Sequence, residues 1–353
     1  MFKLSGQPGL GSELTILVLS YNNIRHVDAC VDSFLSAQYG VDFRVVVVDN
    51  ASTDGSLEHL LARYASNPRV KVLGLDRNHG FGGGIMKALE LLGFPSGYLA
   101  FSNADLRVDP GWFPPIMDAF RLGDVAAVGP VVCYYHKPGV IQGAGKILRS
   151  RWVPTMNADY AKNEDYYTFL RAHTEPFPVL YPDGALVVFD SEAFKAIGGF
   201  DTSFFLYREQ MDLGLRIWLS GRRALTAPAS RAYHVGGASS VGRYTRSLTH
   251  RNYYLSHKNN IRAILKDLPI SVLPPVLGLV SLRLLVYSML KSVAVRDPLI
   301  LLATVRAAAW NIANLGDTMA ERAKFRRAAC RGYWVLEQLI KAEFDVVASK
   351  SGR

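Results

Sequence analysis

The sequence predicts an α/β fold, in which a mostly parallel sheet is flanked by helices, followed by a helical C-terminal region. The first half of the chain alternates short apolar runs with stretches of helical spacing. The apolar runs are continuous, which is typical of parallel strands covered on both faces. From about residue 241, aromatic, basic and apolar residues mix at helical spacing.

The predicted elements of the first half follow in a regular order. Apolar runs rich in β-branched residues predict strands at 13–20, 43–49, 70–75 and 98–103. Helical spacing between them predicts helices at 27–38, 56–65 and 84–93. Such folds bind ligands outside the carboxyl ends of their strands. The polar residues that fall at those ends are Asn22, Asp49, Asn78 and Asp105.

The second half is less regular at first. Residues 134–178 are rich in Tyr, Pro and Gly and predict a loop-bearing insert. Residues 185–199 predict a strand followed by a short helix. We therefore predict an α/β catalytic domain at 1–240 and a basic amphipathic helical region at 241–353.

Composition narrows the class of protein. The 353 residues are 49% hydrophobic and 20% charged, so the chain can bury a full core and is not of the disordered class. Its three cysteines, Cys30, Cys133 and Cys330, are far apart. That excludes a disulfide framework and predicts a reducing compartment. The polar start of the chain predicts no signal peptide.

The net charge of +10 belongs to the C-terminal third. From residue 241 onward there are 18 Lys and Arg against 7 Asp and Glu, whereas residues 1–240 hold 22 against 23. Nucleic acid, anionic lipid or an acidic substrate can each explain such a basic region.

The segment 46–56 delivers Asp49 from a buried strand into a turn rich in Asn, Ser, Thr and Gly. A carboxylate there can accept hydrogen bonds from a base or a ribose. The alternative is a plain turn in which Asp54 or Ser56 caps a helix.

The segment 77–84 has four glycines in five positions, which lets a backbone approach a ligand closely. It is neither a P-loop nor a dinucleotide fingerprint, because the required Lys and glycine spacing are absent. A flexible turn before a helix is the alternative.

The segment 101–113 ends a strand at Asn103 and places Asp105 just beyond it. Mg²⁺ and Mn²⁺ prefer oxygen ligands, usually one or two carboxylates completed by substrate phosphates. Asp105 suits that chemistry, and Asp109 is a second ligand or a turn cap. A structural turn is the alternative for both.

The segment 198–240 places Glu209 and Asp212 three residues apart, on one face of a helix. Arg216 lies four residues beyond Asp212, so that pair can be purely structural. His234 follows a strand-like run, as a metal ligand or as a simple hydrogen-bonding histidine.

In this order the four segments resemble glycosyltransferase family 2, which has the GT-A fold, and most closely its bacterial rhamnosyltransferase-like members. The resemblance covers about residues 13–240. It implies inverting transfer from a nucleoside diphosphate sugar, with Mn²⁺ or Mg²⁺, to a glycan or a polyprenyl-diphosphate-linked acceptor. It favours dTDP-rhamnose as the donor, with a UDP-sugar second.

The resemblance also implies roles for single residues. Asp49 would bind the base or ribose, and Asp105 and His234 would hold the metal at the donor diphosphate. Asp183 would lie beside the sugar and acceptor. The other implied donor-binding residues are Ser20, Asn22, Asn50, Asn78, Gly80, Phe81, Asn103 and Gly184.

The chain departs from the family pattern at Asn103, Met86 and Gln210. Relatives often carry Asn at the position of Met86, and an acidic residue, the general base, at that of Gln210. An amide cannot accept a proton at neutral pH. The catalytic candidates are therefore Glu209, which we favour as base, together with Asp183 and Asp212.

The C-terminal region predicts contact with a membrane. Residues 269–290 contain one charge, Arg283, but Pro274 and Pro275 argue against a span. We expect helices lying in the interface of the cytoplasmic face of the bacterial inner membrane, as in a peripheral protein. The basic residues expected at anionic headgroups are Arg243, Arg246, Arg251, Lys258, Arg262 and Lys266.

Other interpretations of the C-terminal region and of the whole chain stay open. The helices can instead form a subdomain packed on the first domain, or a homodimer interface. A nucleic-acid partner is disfavoured because no known module is present. The chain can also be a catalytically impaired sugar-nucleotide- or glycan-binding subunit of a polysaccharide assembly complex.

Overall fold

The computed structural model describes residues 3–4, 14–236 and 246–326, except 151 and 156, together with 329, 331–337 and 339. The predicted headgroup contact Arg243 and the predicted domain boundary at 240–241 lie outside these residues. The division into two domains therefore stays a prediction.

The described strands alternate with helices through the first half of the chain, as predicted. The strands are β1 Lys3–Leu4, β2 Leu14–Ser20, β3 Phe43–Asp49, β4 Val70–Gly74, β5 Tyr98–Asn103, β6 Leu106–Val108, β7 Val125–Tyr134, β8 Lys137–Gly143, β9 Lys146–Leu148, β10 Asn157–Asp159, β11 Phe177–Pro178, β12 Leu186–Asp190 and β13 Arg223–His234. The helices of this part are α1 Val27–Leu35, α2 Ser56–Arg63, α3 Gly80–Leu92, α4 Phe113–Phe120, α5 Tyr166–Ala172, α6 Ser191–Ala196 and α7 Glu209–Leu219.

One large sheet organises these elements. Its strand order is β1-β4-β3-β2-β5-β12-β7-β13-β11, with β6 added on β13 and β8 added on β7. The strands β4, β3, β2 and β5 are parallel, and β7 is parallel to β13. Between these parallel groups, β12 runs antiparallel to both neighbours. The predicted α/β fold with a mostly parallel sheet is confirmed.

The β3 strand shows why the sheet is covered on both faces. Its four consecutive valines are fully buried, and successive side chains of a strand point to opposite faces. Val45 and Val47 belong to the core beneath α1, α2 and α4, whereas Val46 and Val48 belong to the core beneath α3 and α6. A run without polar residues is thus what a two-sided sheet requires.

The predicted insert at 134–178 is more ordered than a loop. It contains β8 to β11 and α5, and β9 and β10 form a separate two-stranded sheet. Its aromatic residues Tyr160, Tyr166 and Phe169 form a small core with Cys133 and Ile141 from β7 and β8. Two of the tyrosines that suggested a loop, Tyr160 and Tyr166, are therefore core residues.

Helices make up most of the C-terminal region, as predicted. They are α8 Arg246–Asp267, α9 Leu273–Ala294, α10 Leu299–Ala313 and α11 Leu315–Arg326, followed by a short 3-10 helix at Tyr333–Leu336. The inner face of α8 packs on α7, and Ile261 and Ile264 share a core with Met211 and Leu215. This matches the open interpretation of a helical subdomain packed on the first domain.

Three of the basic residues expected at lipid headgroups are buried instead. Lys258, Arg262 and Lys266 are at most 4% exposed, because they face the first domain from α8. Arg262 and Lys266 both bind Asp201, with nitrogen–oxygen distances of 2.8 and 2.9 Å. The prediction was wrong for these three, because charge in a sequence does not reveal which face of a helix carries it. Arg251 is exposed, as expected.

The outer face of α9 and α10 is apolar and open to solvent. One described helix, α9, is long and apolar enough to cross a bilayer, and α10 with α11 forms a bent pair of similar composition. Only 22% of the most apolar window of α9 is buried inside the protein. Its exposed apolar side chains are Leu279, Leu282, Leu285, Val286, Tyr287, Met289, Leu290 and Val293.

Candidate active site

The carboxyl ends of β2, β3 and β5 meet the start of α3, as expected for this fold. They enclose a cavity of about 270 Å³ whose walls are both polar and apolar. Seven of the predicted site residues line it: Asn50, Asn78, Gly80, Phe81, Asn103, Asp105 and His234. The structure thus brings together residues from four separate sequence segments.

Gly80 fixes the shape of the turn that opens α3. Its φ of +76° favours glycine, and a Cβ there would lie 1.9 Å from the carbonyl oxygen of Phe205. The Oδ1 of Asn78 accepts a hydrogen bond from the Gly80 amide at 2.8 Å, and the Asn50 side chain donates to the same Oδ1 at 3.1 Å. Asn50 and Asn78 therefore hold the glycine turn against the sheet.

Four donor-binding candidates do not line this cavity, and one of them, Gly184, lines the larger cavity described below. Asn22 is exposed and accepts a hydrogen bond from the Thr53 amide, so it holds the turn after β3. Ser20 and Asp49 are fully buried behind the cavity wall. Neither the Ser20 Oγ nor the Asp49 Oδ1 has a hydrogen-bond partner among the described residues. Burial raises the pKa of Asp49 above its ordinary value.

Asp105 and His234 lie side by side in the wall of the cavity. The Asp105 Oδ1 and the His234 Nε2 are 3.2 Å apart, and the Asn103 amide nitrogen also lies 3.2 Å from that Nε2. On the other side of the ring, Nδ1 lies 3.0 Å from the Gln142 Oε1. Although burial lowers it, the Asp105 carboxylate raises the pKa of His234 above its ordinary value. In the neutral tautomer with the proton on Nδ1, towards Gln142, the Nε2 lone pair would be available to a cation beside the carboxylate.

This pair fits a divalent cation. No group of three or more His, Cys, Asp or Glu side chains within the described residues can hold a metal alone. One carboxylate and one imidazole leave most positions open, which is how Mg²⁺ sites completed by substrate phosphates are built. Asp109, the other candidate ligand, instead binds Arg231 and Tyr233.

A second cavity, of about 930 Å³, adjoins the first and shares Phe81, Asn103 and Leu206 with it. Asp183, Gly184, Glu209 and Gln210 also line this larger cavity. It lies between the sheet edge and the helices α8 and α9, which supply much of its wall.

Glu209 has the properties of a general base. It is the first residue of α7 and is 5% exposed, and its Oε2 has no hydrogen-bond partner among the described residues. Burial raises the pKa of Glu209 to about 7. A carboxylate with that pKa can both accept a proton at neutral pH and release it afterwards.

The Gln210 side chain lies against the backbone of Gly184, where an added Cβ would be 2.4 Å from the amide nitrogen of Gln210. It therefore occupies a position in the wall of the larger cavity. The neighbouring Asp183 Oδ1 accepts a hydrogen bond from the Ala185 amide at 3.0 Å. Met86 packs against Gly199, and it is absent from the walls of both cavities.

Asp212 lies away from the cavities, in a buried group of charges. It is 0% exposed and forms ion pairs with both Arg216 and Lys266. The pair with Arg216 is the one that the four-residue spacing in the sequence indicated. A carboxylate held by two cations without access to solvent cannot reach a substrate. The catalytic assignment of Asp212 is therefore corrected to a structural one.

Several cavity residues were not predicted from the sequence. Lys146 comes from the insert, Arg208 precedes α7, and Asn260 and Arg283 come from α8 and α9. Gln142, also from the insert, lies against the His234 ring. All of them are single polar residues within segments of ordinary composition. Only Arg283 carried a signal, as the one charge in an apolar stretch.

The fold and the site are those of a glycosyltransferase with the GT-A architecture. The chain belongs to glycosyl transferase family 2, whose family model matches residues 15–198. This confirms the resemblance that the sequence segments indicated.

Among curated proteins, the chain is 25% identical over 246 residues to N-acetylglucosaminyl-diphospho-decaprenol L-rhamnosyltransferase of Mycobacterium tuberculosis, covering 65% of this chain and 78% of that protein. It is 27% identical to the O-antigen biosynthesis protein RfbC of Myxococcus xanthus, covering 64% of this chain and 17% of that protein.

Solved structures share the fold. Residues 1–349 of S. aureus TarS, in complex with UDP-GlcNAc, match with a TM-score of 0.54 at 16% identity, covering 94% of this chain and 92% of that one. GalNAc-T7 with UDP, GalNAc and Mn²⁺ matches with a TM-score of 0.56 at 17% identity, covering 72% of this chain and 48% of that one.

Proposed function

We propose that this glycosyltransferase moves a sugar, with inversion, from a nucleoside diphosphate sugar to a lipid-linked or growing bacterial glycan. The observation that carries the proposal is the meeting of the two cavities at Phe81 and Asn103. Asp105 and His234 lie in the smaller cavity and Glu209 in the larger. A sugar at the junction would have the cation-binding pair on one side and the base on the other.

The proposed reaction exchanges one bond at the sugar. Glu209 takes the proton of the acceptor hydroxyl, whose oxygen forms the new bond to the anomeric carbon. The bond to the nucleoside diphosphate breaks with its electron pair going to the leaving phosphate oxygen. Asp105 and His234 would hold the cation, and a bound Mn²⁺ or Mg²⁺ supplies positive charge that stabilises this leaving group. Asn50 and Asn78 keep the glycine turn in place beside the donor.

For the donor we propose dTDP-rhamnose first and a UDP-sugar second. The M. tuberculosis relative is named as an L-rhamnosyltransferase, and its match spans most of both chains. Ser20 and Asp49 have unpartnered oxygens behind the cavity, so a modest opening would let them bind the base or ribose.

For the acceptor we propose a glycan on a polyprenyl diphosphate, which agrees with the diphospho-decaprenol in the name of the same relative. Such a lipid requires access to a membrane. The exposed apolar face of α9 supports a peripheral position on the cytoplasmic face of the bacterial inner membrane. The same face can also form a homodimer.

Gln210 favours a second candidate function. It stands where relatives carry the acidic base, and it fills that place in the cavity wall. A chain without a working base would bind sugar nucleotides or glycans for a polysaccharide assembly complex without turning them over.

Nucleotide binding tests the donor site without needing the acceptor. We expect one of dTDP, UDP, GDP and CDP to raise the melting temperature with Mn²⁺ and not with a chelator. At a hundred-fold excess over Kd the stabilisation would be about 2.7 kcal/mol. The Asp105→Ala variant should lose it. If no nucleotide stabilises the protein, the donor assignment is wrong.

A further inference from the structure

The wall of the larger cavity opposite the sheet contains polar groups that the proposed transfer does not use. Arg208 precedes α7, His257 and Asn260 lie on α8, and Arg283 lies on α9. None of these four lines the smaller cavity, where the donor diphosphate is proposed to bind.

The two arginines line the cavity without a carboxylate in direct contact, although Glu209 lies close enough to interact with the charge of Arg208. Among the described residues, no carboxylate forms an ion pair with Arg208 or Arg283, and Arg208 donates a hydrogen bond to the Ser256 hydroxyl at 3.3 Å. Burial lowers the pKa of Arg208 and the charge of Arg283 lowers it further, whereas Tyr181 and Glu209 act in the opposite direction. Burial also lowers the pKa of His257 to about 4, so this ring is neutral at pH 7. Two like charges in one cavity favour a bound anion.

Asn260 adds a second, independent sign of a ligand. It is 1% exposed and lines the cavity, and neither its amide oxygen nor its amide nitrogen has a hydrogen-bond partner among the described residues. A buried polar group without a partner costs about 1–3 kcal/mol. A ligand with oxygen atoms in this cavity would satisfy the amide.

The surroundings of Arg283 indicate that the anion carries an apolar chain. Leu279, Arg283, Tyr287 and Leu290 follow one another at helical spacing along α9 and are exposed. Tyr287 and Arg283 also line the cavity. An apolar ridge therefore leads from the cavity to the open face of the helix.

We infer that Arg208, Arg283 and Asn260 form a binding site for the diphosphate of the lipid-linked acceptor, with the prenyl chain lying along the α9 ridge. The inference rests on the proposed function. It places the charged end of the acceptor against the helical wall, so that its sugar extends across the cavity towards Glu209.

Binding of geranyl diphosphate, measured by calorimetry in the presence of a chelator, tests this site. The chelator removes the cation on which diphosphate binding in the donor cavity depends. We expect Arg283→Gln to weaken binding by about ten-fold to a hundred-fold, because charge-assisted hydrogen bonds are lost. The matched control is Lys291→Gln, which removes a charge from the same helix outside the cavity and should leave binding unchanged.

The outcomes separate this site from the donor site. Equal binding by wild type and Arg283→Gln, or no binding by wild type, overturns the inference. If inorganic pyrophosphate binds as tightly as geranyl diphosphate, the lipid part of the inference is wrong. Failure of the nucleotides to bind with Mn²⁺ would instead overturn the proposed function, whatever geranyl diphosphate does. Because Arg283 is exposed, its substitution should not unfold the protein.

Discussion

In the proposed mechanism, Glu209 is the base on which sugar transfer depends. We expect Glu209→Gln to lower kcat by about 10²–10⁴-fold, since general base catalysis contributes that much. Because a base works only when deprotonated and the pKa of Glu209 is raised to about 7, kcat/KM should fall about ten-fold per pH unit below that value. Steady-state kinetics from pH 5 to 9 measure both effects.

Nucleotide binding by Glu209→Gln should match wild type, because Glu209 does not line the donor cavity. Full turnover by this variant would contradict the assignment and direct attention to Asp183. A gain in rate from Gln210→Glu would show that the acidic position of the relatives is the better base.

At the scale of single residues, the sequence predicted which side chains line the smaller cavity where their position follows from the end of a strand. Asp105 and His234 are brought to one cavity because β5 and β13 end at the same edge of the sheet. The spacing between Asp212 and Arg216 left a structural role open, but the second partner of Asp212, Lys266, lies 54 positions away in another helix and could not be predicted. Arg208 and Asn260 had no signal, because their role depends on how α8 packs.

Among the elements, α9 carries the clearest prediction. Its exposed apolar side chains should insert into lipid, so Val286→Asp combined with Leu290→Asp should reduce flotation with anionic vesicles at least ten-fold. The two positions are 44% and 67% exposed, so thermal stability should change little.

The matched control is Leu122→Asp, which adds a charge at an apolar position of the first domain that is 52% exposed. It should leave flotation unchanged. A double variant that still floats but changes from dimer to monomer would assign the face to subunit contact instead of lipid.

Elements were predictable where one local rule governed them. The buried strands β2, β3 and β5 read as continuous apolar runs. The β7 strand was missed because Gly129 and Pro130 interrupt it, and these residues usually end a strand. The structure accommodates Pro130 at a shift in the register between β7 and β13, which a sequence does not reveal.

For the molecule as a whole, the buried charges between α7 and α8 connect the first domain to the C-terminal helices. Lys266→Ala should lower the free energy of unfolding by about 3–5 kcal/mol, because Asp201 and Asp212 would lose a buried cation. Urea unfolding of purified protein measures the change.

Lys324→Ala is the control, since it removes an exposed ion pair with Glu321 and should leave the free energy of unfolding nearly unchanged. Similar losses from both variants would contradict the structural role of the buried group. Although burial raises it, the charges of Lys266 and Arg262 hold the pKa of Asp201 well below its ordinary value. Its contribution to stability is therefore present at neutral pH and lost in strong acid.

The packing of α8 and α9 over the larger cavity has a consequence for how such enzymes diversify. The sheet edge supplies the donor side, while separate helices supply the far wall where an acceptor would rest. Recombination that exchanged only the C-terminal helices would therefore change the acceptor specificity of such an enzyme and keep its donor specificity. The buried charges between α7 and α8 would limit such exchange to C-terminal sequences whose basic residues still pair with the buried carboxylates of the first domain.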